Sequence, residues 1–486
     1  HLIANFASFM LLGFNGVRIH VARAGLATQA RLCVDMLQQG RGMAWVVKNR
    51  DELLTARALM RLFSPELSSG DFLPDAFDKG GWTSLPPFSP RSANREGWTE
   101  RLSALYALRS GQAKGLILTA DNLLPKLVPL DCFENREVTL IRGEDVSLDM
   151  ILEQAVEWGY ERVSMVSNPG EIARRGDILD IMPPGYDKPI RLDFFGDLIE
   201  EIRLFDPVSQ RSKANLSEVR VLPVSPIRQS PADQAKMQAR WKSLFQKNML
   251  TENERFGLTR LQEQGDFRLL PGCCYDTATN LEAWLPADTV WVLPGLSDFR
   301  DMLSSAERLW TEAFEAQDVE GRPQPQRLAM REASDVESAC ERFACVHAEP
   351  LVMGIAKGIH DLPERSLSSF EDLFPSTAEQ DRPWQTLVQA LKRWQNDKRQ
   401  TILCFASEKS RTKFLNLASQ DGLSPLLRYS GEQHGLFALV APFRAGAELI
   451  WDQSLILGED LLQPHAEKSR RVPTGAFKGL DRYDEL

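Results

Sequence analysis

The dipeptide Gly-Lys occurs nowhere in this 486-residue chain. A nucleotide-hydrolysing α/β domain places a glycine-rich loop ending in Gly-Lys-Ser/Thr before its first helix, and that lysine reaches the β and γ phosphates. The equivalent position here holds Ala22-Arg23-Ala24-Gly25-Leu26-Ala27-Thr28-Gln29-Ala30, with one glycine and no lysine. Gly25 and Thr28 are the remnants of a degenerate loop. A helix N-terminus there would hold an anion only weakly, so neither bound cofactor nor ATP hydrolysis is expected. Histidine is scarce: His20, His347, His360, His434 and His465 make no His-x-x-x-His spacing, which excludes the commonest helical zinc motif. No Gly-x-Ser-x-Gly elbow appears. The seven cysteines are odd in number and fit no zinc spacing. Cys273-Cys274 reads as a buried or loop thiol pair. No catalytic residue and no metal ligand is expected.

Long apolar runs are missing too. Phe9–Phe14 is too short to span a bilayer and lacks a cleavage signature. With reduced thiols, that points to a cytoplasmic protein without a membrane partner. The net charge of −10 argues against a large duplex-binding surface, which needs clustered Lys and Arg. Arg91, Arg95 and Arg101 near Trp98 give weak support for a nucleic-acid contact. Asp51-Glu52 resembles an acidic magnesium box, yet it opens a helix behind Asn49, so capping explains it. Glu200-Glu201 lies on a polar strand as a solvated pair.

What is present is a composition of 43% hydrophobic and 26% charged residues, ordinary for a globular protein of about three domains. From Val17 to Asn135 strands alternate with helices: strand Met43–Lys48, a helix from Asn49 to Phe63, helix Gly97–Arg109, strand Gly115–Thr119, and a helix opened by Ala120. That alternation predicts a parallel α/β sheet. Residues 136–224 gather strands around one helix near Ser147–Trp158 and read as an α+β insert. Residues 225–322 begin with a helix at Pro231–Leu250 and end with strand Thr289–Pro294 and a helix at Leu296–Gln317. Such a late strand could return to the first sheet, which would make 136–224 an insertion in a split domain. Glu320–Gln326 has linker composition. Residues 327–460 read as a smaller α/β domain, with strand Gln400–Phe405 and a helix capped by Ser407, and 461–486 as a linker.

The richest stretch is Glu171–Asp206. In Ile190-Arg191-Leu192-Asp193-Phe194-Phe195 the strand period sends Ile190, Leu192 and Phe194 to one face. Arg191, Asp193 and Phe195 go to the other, which should meet water. An aromatic beside an arginine on an open sheet face has the composition of a binding hot spot. Two alternatives stay open: a sheet covered on both faces, or a bulge that turns Phe195 inward. Gly196-Asp197 fits the glycine-first two-residue hairpin turn. Arg175-Gly176-Asp177 spells an adhesion tripeptide by accident. Arg175 could also cap a turn or pair with Asp177.

The string RRGDILDIMPPGYDKPIRLDFFGDLIEEIRLFDPVSQRS at Arg174–Ser212 resembles the second domain of bacterial transcription-repair coupling factors, and more distantly that of the excision-repair protein UvrB. GLATQARL at Gly25–Leu32, LPPFSPRSANREGWTERLSALYAL at Leu85–Leu108 and LILGEDLL at Leu455–Leu462 agree in order. UvrB itself fits less well, since it carries an intact Gly-Lys-Thr loop and a long aromatic hairpin.

The resemblance implies a degenerate P-loop-type domain (1–135 and 225–322), split by a UvrA-binding insert (136–224). A small third domain (327–460) and a linker toward an RNA-polymerase-interacting domain (461–486) would follow. It places UvrA contacts on Arg191, on Phe195, and on Arg175 of the preceding strand. It assigns ATP, Mg and DNA to a translocase motor outside this chain, and masking of the UvrA face to a C-terminal domain. The expected role is therefore non-catalytic recruitment of UvrA to lesions at stalled RNA polymerase. The alternative is a nucleic-acid-binding or autoinhibitory module supporting the motor.

Overall fold

The structure, a computed structural model, describes residues 18–64, 81–349, 359–376, 381–429, 434–441 and 443–462. Leu461 and Leu462, expected to open a linker, are instead buried in a hydrophobic core; the rest of that expected linker, from Gln463 onward, lies outside the described residues. The chain divides into two compact units that meet between Leu362 and Pro363.

The first unit opens with β1 (Arg18–Ala22), α1 (Leu26–Gln38), β2 (Met43–Val47), α2 (Arg50–Phe63), β3 (Trp82–Leu85), α3 (Arg95–Arg109) and β4 (Gly115–Thr119). Local chemistry sets these boundaries. The Asn49 side chain accepts the Glu52 N–H, with Asp51 and Glu52 in the first turn of α2, so the acidic pair is a cap as its position implied. Asn94 does the same for α3 through the Gly97 N–H. The segment at Ala120–Leu123 is one 3₁₀ turn rather than a full helix.

An inserted domain follows: β5 (Val138–Ile141), α4 (Leu148–Glu157), β6 (Glu161–Arg162), β7 (Glu171–Arg175), β8 (Ile178–Ile181), β9 (Ile190–Phe195), β10 (Leu198–Phe205), β11 (Ser212–Leu216) and β12 (Glu218–Val221). Six of its strands form one sheet in the order β11-β10-β9-β8-β7-β6, and β5 pairs with β12. One face of the six-stranded sheet packs on α4. Leu179, Ile190, Leu192, Phe194 and Ile202 meet Leu148, Ile151, Leu152 and Ala155 there in a single buried cluster.

The chain then returns through α5 (Pro231–Gln246), α6 (Glu252–Glu263), β13 (Val290–Pro294), α7 (Leu296–Val319), β14 (Ala344–Glu349) and β15 (Ile359–Asp361). β1–β4 and β13–β15 share one seven-stranded sheet, ordered β15-β1-β14-β13-β2-β4-β3, and every pair is parallel. Central strands such as β2 (MAWVV) and β13 (VWVLP) are buried along their whole length, as a sheet covered on both faces requires. The late strand thus does rejoin the first sheet.

The boundary expected at 322–327 is corrected. β14 pairs with both β1 and β13, and β15 with β1, so the first unit runs to Leu362. The linker-like Glu320–Gln326 is stitched down. Gln324 is buried, donates to Arg268 O (2.9 Å) and Gln317 Oε1 (2.7 Å), and accepts the Leu270 N–H (3.3 Å).

The second unit holds β16 (Glu364–Leu367), α8 (Pro383–Asn396), β17 (Gln400–Phe405), α9 (Glu408–Gln420), β18 (Leu436–Val440), β19 (Gly446–Leu449) and β20 (Ser454–Gly458). Its sheet runs β16-β19-β20-β17-β18, mixing parallel and antiparallel pairs. Ser407 caps α9 through the Ser410 N–H. Leu387, Leu391, Leu403, Phe405 and Leu457 centre its own core.

Candidate functional site

Ligands of a parallel sheet bind beyond the carboxyl ends of its strands. In the first unit that edge is closed by the chain's own side chains. Only Arg23–Gly25 separate β1 from α1. Arg23 adopts a positive φ of 57°, donates its N–H to Glu349 O (2.9 Å) and pairs through Nε with Asp361 Oδ1 (2.9 Å). Gln29 donates to Ala24 O (3.0 Å) and accepts from Trp45 Nε1 (2.9 Å). Thr28 is fully buried, inside the core rather than at a phosphate. The Glu349 carboxylate lies against the start of α7: a Cβ on the N-cap Gly295 would come within 2.5 Å of its Oε2. The carboxylates at this edge already hold the nearby cations: Asp361 pairs with Arg23 and Asp298 with Lys48 (3.1 Å). No group of three His, Cys, Asp or Glu able to hold a metal occurs among the described residues.

Two histidines that are far apart in sequence meet near this edge. His20 and His347 are register partners on β1 and β14, stacked 5.2 Å apart. Burial holds the His347 pKa below its ordinary 6.5, with His20 and Arg18 adding to that and Pro294 O and Glu349 opposing it. The unfolded chain therefore binds the proton more readily than the folded one. This contribution to stability is complete above about pH 6.5 and is lost as pH falls through the lowered folded value. Urea midpoints should accordingly fall between pH 7.5 and 5.5, and fall less in His347→Gln.

The second candidate is the open face of the inserted sheet. Cross-strand partners share a face. Ala173 pairs with Asp180 and Asp180 with Arg191, while Arg175 pairs with Ile178 and Ile178 with Asp193. Arg175, Asp180, Arg191, Asp193 and Phe195 therefore lie together, opposite α4. Phe195 is 74% exposed. The only register shift along this hairpin falls between Ile199 and Glu201 on β10, and it leaves Phe195 outward. At Phe195 neither alternative holds, although the β7 side of the same face is covered, with Val166 buried against Ala173.

Two matching turns present the tips. Phe195-Gly196-Asp197-Leu198 and Arg175-Gly176-Asp177-Ile178 each place a Gly-Asp pair between register partners. Gly196 and Gly176 both have φ +62°, while neither aspartate has a positive φ, the glycine-first hairpin form. Arg175 is on β7, with β8 between it and β9, not on the strand adjoining Phe195. Arg175 lies two strands from Asp193, its counterpart on β9, and Phe195 two residues further along, which puts Arg175 and Phe195 about 12 Å apart on the sheet. The Arg175 guanidinium donates to Ser164 O (2.8 Å), so its partner is not Asp177.

Arg191 sits differently from the other two. It grips Asp180 with two parallel bonds, Nε–Oδ1 and Nη2–Oδ2, each 2.7 Å, and donates to Gln210 Oε1 (3.1 Å). Its guanidinium lies 4.5 Å over the Phe205 ring. The hydrogen bond to Asp180 raises its pKa despite burial. Asp180 is 1% exposed. Arg191 is thus a rigid floor to the face, whereas Phe195 stands in water at the hairpin tip and Arg175, exposed, is tethered to Ser164 O. Beside it Arg203 pairs with Asp193 and Glu201.

The basic stretch at Arg91–Arg101 is largely structural. Arg95 pairs with Glu161 and stacks 5.2 Å over Phe267. Arg101 is buried against Asn122 and over Phe88 (4.0 Å). Trp98 is buried and donates to Phe267 O (3.0 Å). Arg91 alone of the three arginines is exposed. All seven cysteines are free and buried, and burial pushes the Cys273 thiol up to about 12. No described helix is long and apolar enough to cross a membrane.

Comparison with known proteins places this second site in a family context. Residues 138–226 match the UvrB interaction domain family. The chain is similar to the transcription-repair-coupling factor of Myxococcus xanthus, 32% identical over 237 residues, covering 46% of this chain and 19% of the relative. That of Escherichia coli K12 is 33% identical over 168 residues, 34% of this chain and 14% of the relative. That of Staphylococcus aureus MSSA476 is 42% identical over 128 residues, 26% and 11% respectively. The aligned stretches span less than a fifth of these relatives' lengths.

Proposed function

We propose that this chain serves transcription-coupled DNA repair as a non-catalytic recruiting module, with the open face of the 138–226 domain docking UvrA. The observation that carries the reading is Phe195, three-quarters exposed at a hairpin tip on the face that also bears Arg175 and Arg191. Burying that ring supplies apolar energy, and Arg175 meets an acidic group of the partner. Arg191 acts by tying the strand beneath them to β8 through its paired bonds to Asp180. The names of the curated relatives support the repair role. Engagement of RNA polymerase and DNA, and masking of the face, are proposed to lie in sequence outside this chain.

The test is a titration of UvrA with wild type and Phe195→Ala; equal affinities with intact folding would sink the assignment. We also propose that the first sheet does not turn over nucleotide. The reading is supported by the Arg23–Asp361 pair and by Glu349, which stand at the carboxyl ends of β1, β15 and β14. ATP turnover by the purified chain is expected at the level of buffer alone, and turnover that Thr28→Ala abolishes would restore the enzymatic reading.

A further inference from the structure

The exposed apolar side chains of the inserted domain do not stop at Phe195. Met165 is 47% exposed and follows Ser164, whose carbonyl accepts from Arg175. The segment that carries it is firmly built. The Val163 N–H donates to Ile172 O (2.9 Å). Val166 is fully buried in a small cluster with Ala173 and Met182, against which Val163 packs. Ala173 belongs to the open face through its pairing with Asp180. The Glu171 carboxylate accepts the backbone N–H groups of Ser167 (2.7 Å) and Asn168 (2.9 Å) and the Asn168 amide (2.9 Å). Residues 163–168 are thereby clamped along the β7 side of the face. Val166 is turned into it, and Met165 is left in water on an ordered backbone. Between Met165 and Phe195 lie Arg175 and the half-buried Ile178.

We infer that Met165 is a second apolar anchor of the docking face, received by an apolar patch of UvrA that continues from the one taking Phe195. The inference rests on the docking reading above. Its argument is continuity. The same guanidinium that faces the partner is bonded to the residue next to Met165, so a partner covering Phe195 and Arg175 reaches the thioether without a gap. An unbranched, polarisable side chain suits such a rim, because it can adapt to the surface it meets. A lone exposed methionine would be unremarkable; one presented by five backbone and carboxylate bonds beside two other exposed contact residues has a defined place to be met.

The experiment titrates UvrA with wild type, Met165→Glu, Met165→Leu and Phe195→Ala, each checked by its urea midpoint. Met165→Glu is expected to bind about tenfold more weakly, and Met165→Leu within about twofold of wild type. Midpoints should match wild type for both Met165 variants, since the side chain lies outside the buried clusters. If the glutamate variant unfolds early, Met165→Ser carries the same comparison with a smaller expected loss. If Phe195→Ala weakens binding while Met165→Glu leaves it unchanged, the second anchor is refuted and the docking reading stands. If neither weakens it, the docking reading fails and takes the anchor with it. Weakening at Met165 alone overturns the continuous face.

Discussion

Arg191→Ala is expected to lower the stability of the inserted domain by about 3 kcal/mol, read as a fall in the urea midpoint at unchanged slope. The reason is Asp180. With 1% of its surface exposed, that carboxylate depends on the two 2.7 Å bonds from Arg191. Removing the arginine strands a charge in the sheet, and it also strips the cover from Phe205. Arg191→Lys should recover only part of the loss, because an ammonium cannot make the paired bonds. The double variant Arg191→Met/Asp180→Leu should be more stable than Arg191→Ala, since removing both charges avoids the stranded one. A double variant less stable than the single would refute this account. Lost UvrA binding in Arg191→Ala therefore reports a lost contact only where the domain is shown to be folded.

The contrast between Arg191 and Phe195 marks how far sequence reasoning reaches. A period of two placed both on one face, and the structure agrees. Exposure followed from the polar neighbours of Phe195. What the pattern left unread was the partner of Arg191, because Asp180 is eleven residues away on another strand. Its own alternation in Ile178-Leu179-Asp180-Ile181 puts it on the same face, so the signal was there once the register was known. Gly196-Asp197 was legible as a turn since the glycine-first form needs a positive φ at that one position. The strands β14 and β15 were not legible as members of the first sheet. Their shared partner β1 lies more than 300 residues earlier, and Glu320–Gln326, between β13 and β14, has the prolines and polarity of a linker. The buried, hydrogen-bonded Gln324 shows locally that this stretch is part of the fold. The stacked histidines were scattered in sequence for the same reason: register, not spacing, joins them.

Phe195→Ala is expected to weaken UvrA binding by about 2 kcal/mol or more, roughly thirtyfold in Kd, with the unfolding free energy from urea titration within about 0.5 kcal/mol of wild type. The ring is 74% exposed, so the fold depends little on it, and an aromatic anchor that a partner buries is costly to truncate. The neighbouring position supplies the control. Phe194 is 5% exposed and packs in the cluster against α4, so Phe194→Ala should cost about 3–5 kcal/mol of stability. One residue along the same strand, the effect should pass from binding to folding, because successive side chains point to opposite faces. Hydrogen exchange of β9 amides separates the two cases without reference to binding. Protection should survive in Phe195→Ala and collapse in Phe194→Ala. A Phe195→Ala variant that loses both protection and affinity would make the ring a structural element of the hairpin and leave the docking face without its anchor.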